Sequence, residues 1–137
     1  EMIANLKKVF LMVAGSAIKK YGANLEEHQQ LLMAAANILN EIYMSESTLL
    51  RAEKNAKRFG EDAQDIQIAM AKLYLYNAVE IVIKNGKEGI ISFAEGDEQR
   101  MMLMGLKRYT KYTNYPNVVA LRNKIAEKLS TENKYCF

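Results

Sequence analysis

Apolar residues recur at three- and four-residue intervals along almost the whole chain, the spacing that lines one face of an α-helix. Leu6, Phe10, Val13, Ala17 and Tyr21 mark a first helix over residues 3–21, with Lys7, Lys8, Lys19 and Lys20 lying mostly off that line. Gly22 follows, a residue suited to the left-handed conformation that ends helices. Asn24 then offers an N-cap, with Glu26 and Glu27 in the first turn facing the positive end of the helix dipole. The second helix is predicted from residue 25 to 58, stopped by Gly60, with Leu31, Ala35, Ile38, Ile42 and Leu49 as its buried line. A helix of that length is a rod of roughly 50 Å at 1.5 Å per residue, and it requires neighbours of similar length.

A third helix over residues 62–94 carries Ile66, Ala69, Leu73, Tyr76 and Ile83, with a wider apolar belt through Leu75, Val79 and Val82. Apolar residues on most sides predict a central position against two neighbours. Gly86 and Gly89 weaken its last turns by about 1 kcal/mol each relative to alanine, which predicts a weak point near Asn85 and Gly86. Asp97 and Glu98 open a fourth helix that runs through Met101, Leu103, Met104 and Leu106 to residue 111. A loop over 113–116 puts Pro116 at a first helical position, and Val118, Val119, Leu121, Ile125 and Leu129 mark a shorter fifth helix. Short connections between long helices make antiparallel neighbours. The expected architecture is all-α: an up-and-down antiparallel bundle of four main helices plus a short C-terminal one, forming a single domain over residues 1–137.

Composition agrees with that pattern. Half of the 137 residues are apolar and about a quarter charged, while one proline and seven glycines leave little punctuation for a many-stranded fold. The net charge of +3 does not compel a nucleic-acid or membrane partner. The longest strongly apolar stretch without a charge is residues 9–18. That falls short of the roughly 20 residues a membrane-spanning helix needs. Cys136 is the sole cysteine, which excludes an intramolecular disulfide; no secretory signal is visible, and a cytoplasmic location is the expectation. The opening Glu1 suggests a piece cut from something longer.

Residue chemistry excludes more than it offers. Di-iron bundles use two Glu-x-x-His pairs, whereas this chain has one histidine, His28, and Leu25 stands three before it. His28 therefore reads as a polar residue near a helix start, and no metal site is expected. Cys136 lies at the opposite end from His28, against a nucleophilic pair, and no glycine loop for phosphates appears. Glu46, Glu53 and Glu80 fall near apolar lines and are expected to be paired structural carboxylates, with Arg51 and Lys72 as candidate partners. Residues 106–115 (LKRYTKYTNY) interleave bases with aromatics, as some single-stranded nucleic-acid surfaces do; the spacing of Tyr109, Tyr112 and Tyr115 equally makes a half-buried stripe beside a solvated basic face. Met101, Met102 and Met104 either line a soft groove or fill the core.

The stretch over residues 92–108 (SFAEGDEQRMMLMGLKR) is the most informative, because it sets a Glu-Gly pair at the entry to a Met-rich helix with an early arginine. Together with residues 43–51 (YMSESTLLR) and the closing Asn-Lys-Tyr-Cys-Phe, it resembles the extra C-terminal helical domain of bacterial acyl-CoA dehydrogenases of the very-long-chain type. The resemblance covers nearly the whole chain. It implies a parent flavoprotein that holds FAD between helical and β domains and oxidises fatty acyl-CoA to 2-enoyl-CoA, a glutamate taking the α-proton while hydride leaves the β-carbon for the flavin. On this reading Glu95, Gly96 and Arg100 are a relic of the segment that bears the catalytic glutamate. Two departures mark them so: Asp97 stands where threonine is usual, and Arg100 comes about two residues early.

The resemblance thus implies a non-catalytic domain with no catalytic, cofactor or metal residues of its own and FAD in the parent enzyme. It would pack on the upstream catalytic core of the same polypeptide and support a homodimer. Nucleic acid is not an expected partner, and scattered lysines without tryptophan argue against an interfacial membrane anchor. The rival from another class is a stand-alone helical adaptor, which an exposed apolar groove would favour.

Overall fold

The computed structural model describes residues 1–59 and 61–134. Among them are α1 (Met2–Tyr21), a 3-10 segment (Gly22–Glu27), α2 (Gln29–Phe59), α3 (Glu61–Phe93), α4 (Gly96–Thr110) and α5 (Val118–Glu132), with no strand. The all-α expectation holds. Gly60 and Cys136, with the expectations attached to them, lie outside the described residues.

The residues fall into two compact units. The first comprises Glu1–Tyr43 and Ala78–Thr113, and the second Met44–Asn77 with Asn114–Phe137. Each of the long helices α2 and α3 therefore gives one half to either unit.

In the first unit, helix directions follow from which residues approach one another. Gly86 and Gly89 of α3 lie beside Val9 and Val13 of α1, in the same order, so α3 runs parallel to α1. Asn37 of α2 donates to Asn85 of α3 at 3.0 Å, while Ala34 lies against Gly89, so these two run antiparallel. Lys8 sits 5.6 Å from the Tyr109 ring centroid and Met12 against Gly105, which sets α4 antiparallel to α1. The unit is an up-and-down four-helix bundle.

Its core draws on all four helices. Leu6, Val9, Val13, Ile38, Val82 and Ile90 are fully buried, joined by Ala17, Leu31, Ala34, Ile42, Ala78, Val79, Phe93, Met102 and Leu106. Each large apolar side chain removed from water contributes roughly 1.5–3 kcal/mol.

Helix α3 does not break near Gly86. A Cβ at Gly86 would stand 2.9 Å from Leu106 Cδ1, and one at Gly89 would stand 3.1 Å from Val13 Cγ1 and 3.5 Å from Leu31 Cδ1. These glycines let three neighbouring helices approach the α3 backbone, and the packing gained outweighs their propensity cost of about 1 kcal/mol each. Helix α3 thus has three neighbours here instead of two. Its buried line also shifts: Val79, Val82, Ile90 and Phe93 are buried, while Leu73, Leu75, Tyr76 and Ile83 are only half-buried.

The predicted start of α2 needs a larger correction. Gly22 ends α1 with φ +51°, but residues 22–27 tighten into a 3-10 turn instead of continuing into α2, and Asn24 caps nothing there. His28 leaves helical geometry at φ −99°, ψ 60°, and its ring stacks on Tyr21 with centroids 3.6 Å apart. That stack clamps the two ends of the turn, and the backbone N–H of Leu32 donates to His28 O at 3.0 Å as α2 begins. His28 is a structural clamp at the mouth of the helix.

The second unit is more thinly filled. Its buried side chains among the described residues are Ser45, Ala52, Ile66, Ala69 and Ala71, and α5 has none. Leu49, expected on the buried line of α2, is exposed, as are Glu53, Glu80, Arg51 and Lys72, so these charges do not form a buried pair. Glu46 is half-buried. Helix α5 begins two residues later than a Pro116 start would put it: Asn117 is the N-cap, its side chain accepting from the backbone N–H of Ala120 at 3.1 Å. Lys124 of α5 also pairs with Asp65 of α3.

By length and composition alone, the Asp65–Phe93 stretch of α3 is long and apolar enough to cross a membrane, with a mean hydropathy of 1.4 over an 18-residue window, although no uncharged run in the sequence is. In this fold its apolar surface is used differently, since Val82 and Ile90 lie at the centre of the first unit.

Candidate functional site

The Glu95 segment forms the corner between α3 and α4. Gly96 takes φ +56°, a conformation that strains any residue with a Cβ, and Glu95 before it is extended at φ −133°, ψ 161°. This sharp reversal is what the Glu-Gly pair supplies locally. Several carbonyls at this corner are engaged. Lys20 of α1 donates its Nζ to Phe93 O, placing a cation at the negative end of the α3 dipole. Gln99 donates its side-chain amide to Ala94 O at 2.7 Å and its backbone N–H to Glu95 O at 3.3 Å.

The carboxylate of Glu95 takes no part in that network. It is exposed and makes no capping bond to the start of α4. Arg100 pairs with Asp97 at 3.2 Å, and both side chains are largely in water. Glu95, Gly96 and Arg100 thus share one helical entry, but the structure brings Arg100 to Asp97 and not to Glu95.

Other candidates resolve as framework. Met102 is buried, whereas Met101 and Met104 are exposed, so the methionines form neither one core line nor one groove. Tyr109 and Tyr112 are half-buried, with Lys107 and Arg108 exposed beside them, and Tyr115 is exposed. Among the described residues no group of three His, Cys, Asp or Glu side chains is placed to hold a metal ion.

The described residues of the first unit form two grooves of note. One of about 440 Å³ between α2 and α3 is lined by Gln30, Asn37, Lys84, Asn85 and Glu88 among others. Asn85 already accepts from Asn37 and donates to Ile81 O at 2.8 Å. With one lysine set beside a glutamate and its buried amide committed, this groove does not match the diphosphate of a flavin dinucleotide. The second, of about 230 Å³, lies between α1 and α2 and is almost purely apolar. Sequence reasoning missed it. Its signal was a second apolar line on each helix, Phe10, Ala14 and Ile18 on one and Leu32, Ala36 and Leu39 on the other, offset from the line that enters the core.

An all-α domain with a four-helix up-and-down unit and a glycine-turned α3–α4 corner is the class the geometry defines. Residues 5–108 match the family described as "Acyl-CoA dehydrogenase, C-terminal domain", and the chain belongs to that family. The match takes in α1 to α3 and most of α4 and stops short of α5. A curated relative, the probable acyl-CoA dehydrogenase of Bacillus subtilis, is 30% identical over 98% of this chain, which spans 22% of that protein. A solved acyl-CoA dehydrogenase from Bacillus anthracis, complexed with FAD, is 32% identical and superposes with a TM-score of 0.92 over 99% of this chain and 23% of its own. The chain thus spans under a quarter of the length of these relatives.

Proposed function

We propose that this domain is a non-catalytic part of an FAD-dependent acyl-CoA dehydrogenase of the very-long-chain branch, packing on the catalytic core and supporting a homodimer. The observation that carries this reading is the Glu95 corner. A general base must reach a substrate proton in a site that excludes water. Glu95 is exposed, lines neither groove, and lacks a paired arginine. Its backbone turns the chain, and its carboxylate is idle.

Neither groove fits a flavin, so on this reading FAD is held by parts of the parent polypeptide outside residues 1–137. On this reading the parent is cytoplasmic, and this domain itself supplies neither a nucleic-acid surface nor a membrane anchor. The apolar α1–α2 groove is the feature an adaptor would use, and it keeps a protein-interaction role in view as the second reading.

The test compares the parent polypeptide with and without residues 1–137, scoring bound flavin, acyl-CoA oxidation and assembly together, alongside Glu95→Gln in the intact chain. Flavin and turnover are expected in the intact protein, unchanged by Glu95→Gln, and the truncated form should keep turnover while its assembly changes. An intact protein without flavin or acyl-CoA oxidation would hand the domain to the adaptor reading. Loss of turnover in Glu95→Gln with flavin retained would restore a catalytic role to that residue.

A further inference from the structure

We infer that the two turns at one end of the first unit form a single latch, in which Lys20 makes the 22–27 turn and the Glu95 corner open and close together. In an up-and-down bundle the end of α1, the start of α2, the end of α3 and the start of α4 share one end. A continuous series of contacts crosses that end. The backbone N–H of Leu32 donates to His28 O at 3.0 Å, and the His28 ring stacks on Tyr21 with centroids 3.6 Å apart. The Lys20 ammonium lies 5.9 Å from the centroid of the same Tyr21 ring and donates to Phe93 O. Gln99 carries the series into α4 through its 2.7 Å bond to Ala94 O.

The coupling follows from where Lys20 stands. Lys20 and Tyr21 are consecutive residues in the last turn of α1, a turn closed by the bond from Gly22 N–H to Ile18 O. End turns of helices fray readily, because their outer backbone groups have no partner within the helix. The Tyr21–His28 stack restrains this one by tying it to the start of α2. When the stack parts, the last turn of α1 loosens and Lys20 leaves Phe93 O. The reverse step is equally direct. Phe93 and Ala94 are buried, so the corner presents its carbonyl from a fixed position against the core. A carbonyl at the negative end of a helix dipole favours a cationic donor, and in partly buried surroundings one left without a donor is costly. The bond to Phe93 O therefore holds the last turn of α1 in place, and with it the Tyr21 ring against His28. Local openings of proteins occur in cooperative units. This unit joins two turns whose bonded residues, Lys20 and Phe93, stand 73 positions apart.

Hydrogen exchange of the intact parent polypeptide, read by mass spectrometry over residues 22–32 and 94–100, tests the latch. Lys20→Met keeps the stem and removes the donor to the corner, yet it should quicken exchange several-fold in the 22–32 segment as well as at the corner. His28→Ala removes the ring at the turn, yet it should quicken the 94–100 segment as well as its own. His28→Phe keeps a ring for the stack and should leave both segments at their original rates. The α3 amides from Val82 to Ile90 should stay unchanged in all three variants, which reports an intact core. Quickening confined to the corner in Lys20→Met and to the turn in His28→Ala would overturn the inference, because the two turns would then open independently. Quickening that reaches Ile90 would overturn it too, since this end would open only with the whole unit. So would His28→Phe rates as fast as those of His28→Ala, or no change in any variant, because the stack and the Lys20 bond would not be what links the turns.

Discussion

The two halves of α2 and α3 use similar sequence in different ways. In the first unit their residues enter a core that fully buries Leu6, Val9, Val13, Ile38, Val82 and Ile90, and glycines at 86 and 89 bring backbone against side chain. In the second unit the buried positions among the described residues are Ser45, Ile66 and three alanines, and the apolar residues of α5 all remain at least partly in water. Apolar periodicity alone does not separate these outcomes. What differs is the size of the residue at the inward position and the presence of glycine where helices converge.

Matched truncations would break this comparison most sharply. Ile90→Ala empties a fully buried site and is expected to lower the unfolding free energy by about 3 kcal/mol. Ile125→Ala removes the same atoms from a half-buried position on α5 and is expected to cost no more than about 1 kcal/mol. Urea unfolding of the chain measures both. Equal losses would mean that α5 is packed as tightly as the four-helix unit.

Glycine substitutions sharpen the same contrast with opposite signs. Gly89→Val pushes branched carbons toward Val13, itself fully buried and stiff at χ1, and should destabilise by about 2 kcal/mol through overpacking. Gly15 lies within α1 with nothing inside 4 Å of a built Cβ, so Gly15→Ala should stabilise by about 0.5–1 kcal/mol through helix propensity. Thermal melts of the two variants should therefore move in opposite directions. If Gly89→Val were neutral, the close approach of α1 to α3 would not contribute to stability.

Much of this fold is readable in the pattern of apolar positions because a long helix must bury a stripe, and that stripe is periodic. Helix identities and the ends of α1, α3 and α4 follow within a residue or two of the pattern. The start of α2 does not, because Asn24 with Glu26 and Glu27 is a good local cap signal, and the deciding contact, the Tyr21–His28 stack, joins residues seven apart across a turn. The glycines of α3 misled for a related reason: propensity is local, whereas the value of a missing Cβ lies in what stands opposite it. The candidate site was legible as a motif and not as a geometry. Residues 92–108 point to the family, yet only the fold shows Gly96 turning a corner that Lys20, 73 residues from the Phe93 carbonyl it binds, helps to close.

The smallest expected effect concerns what holds α5 in place. Asn117 caps the helix through Ala120 N–H, and Lys124 pairs with Asp65, while no α5 side chain is buried. A helix of 15 residues with little packing depends heavily on its caps, because nucleation is costly and each orphan N–H matters. Asn117→Ala should therefore weaken α5 by about 1 kcal/mol. The loss should appear as faster amide hydrogen exchange across Val118–Glu132, with the amides of α1 and α4 unchanged. Exchange that quickens equally in α1 would show that α5 and the four-helix unit open together, and the contrast between the two units would then be one of packing density without independent stability.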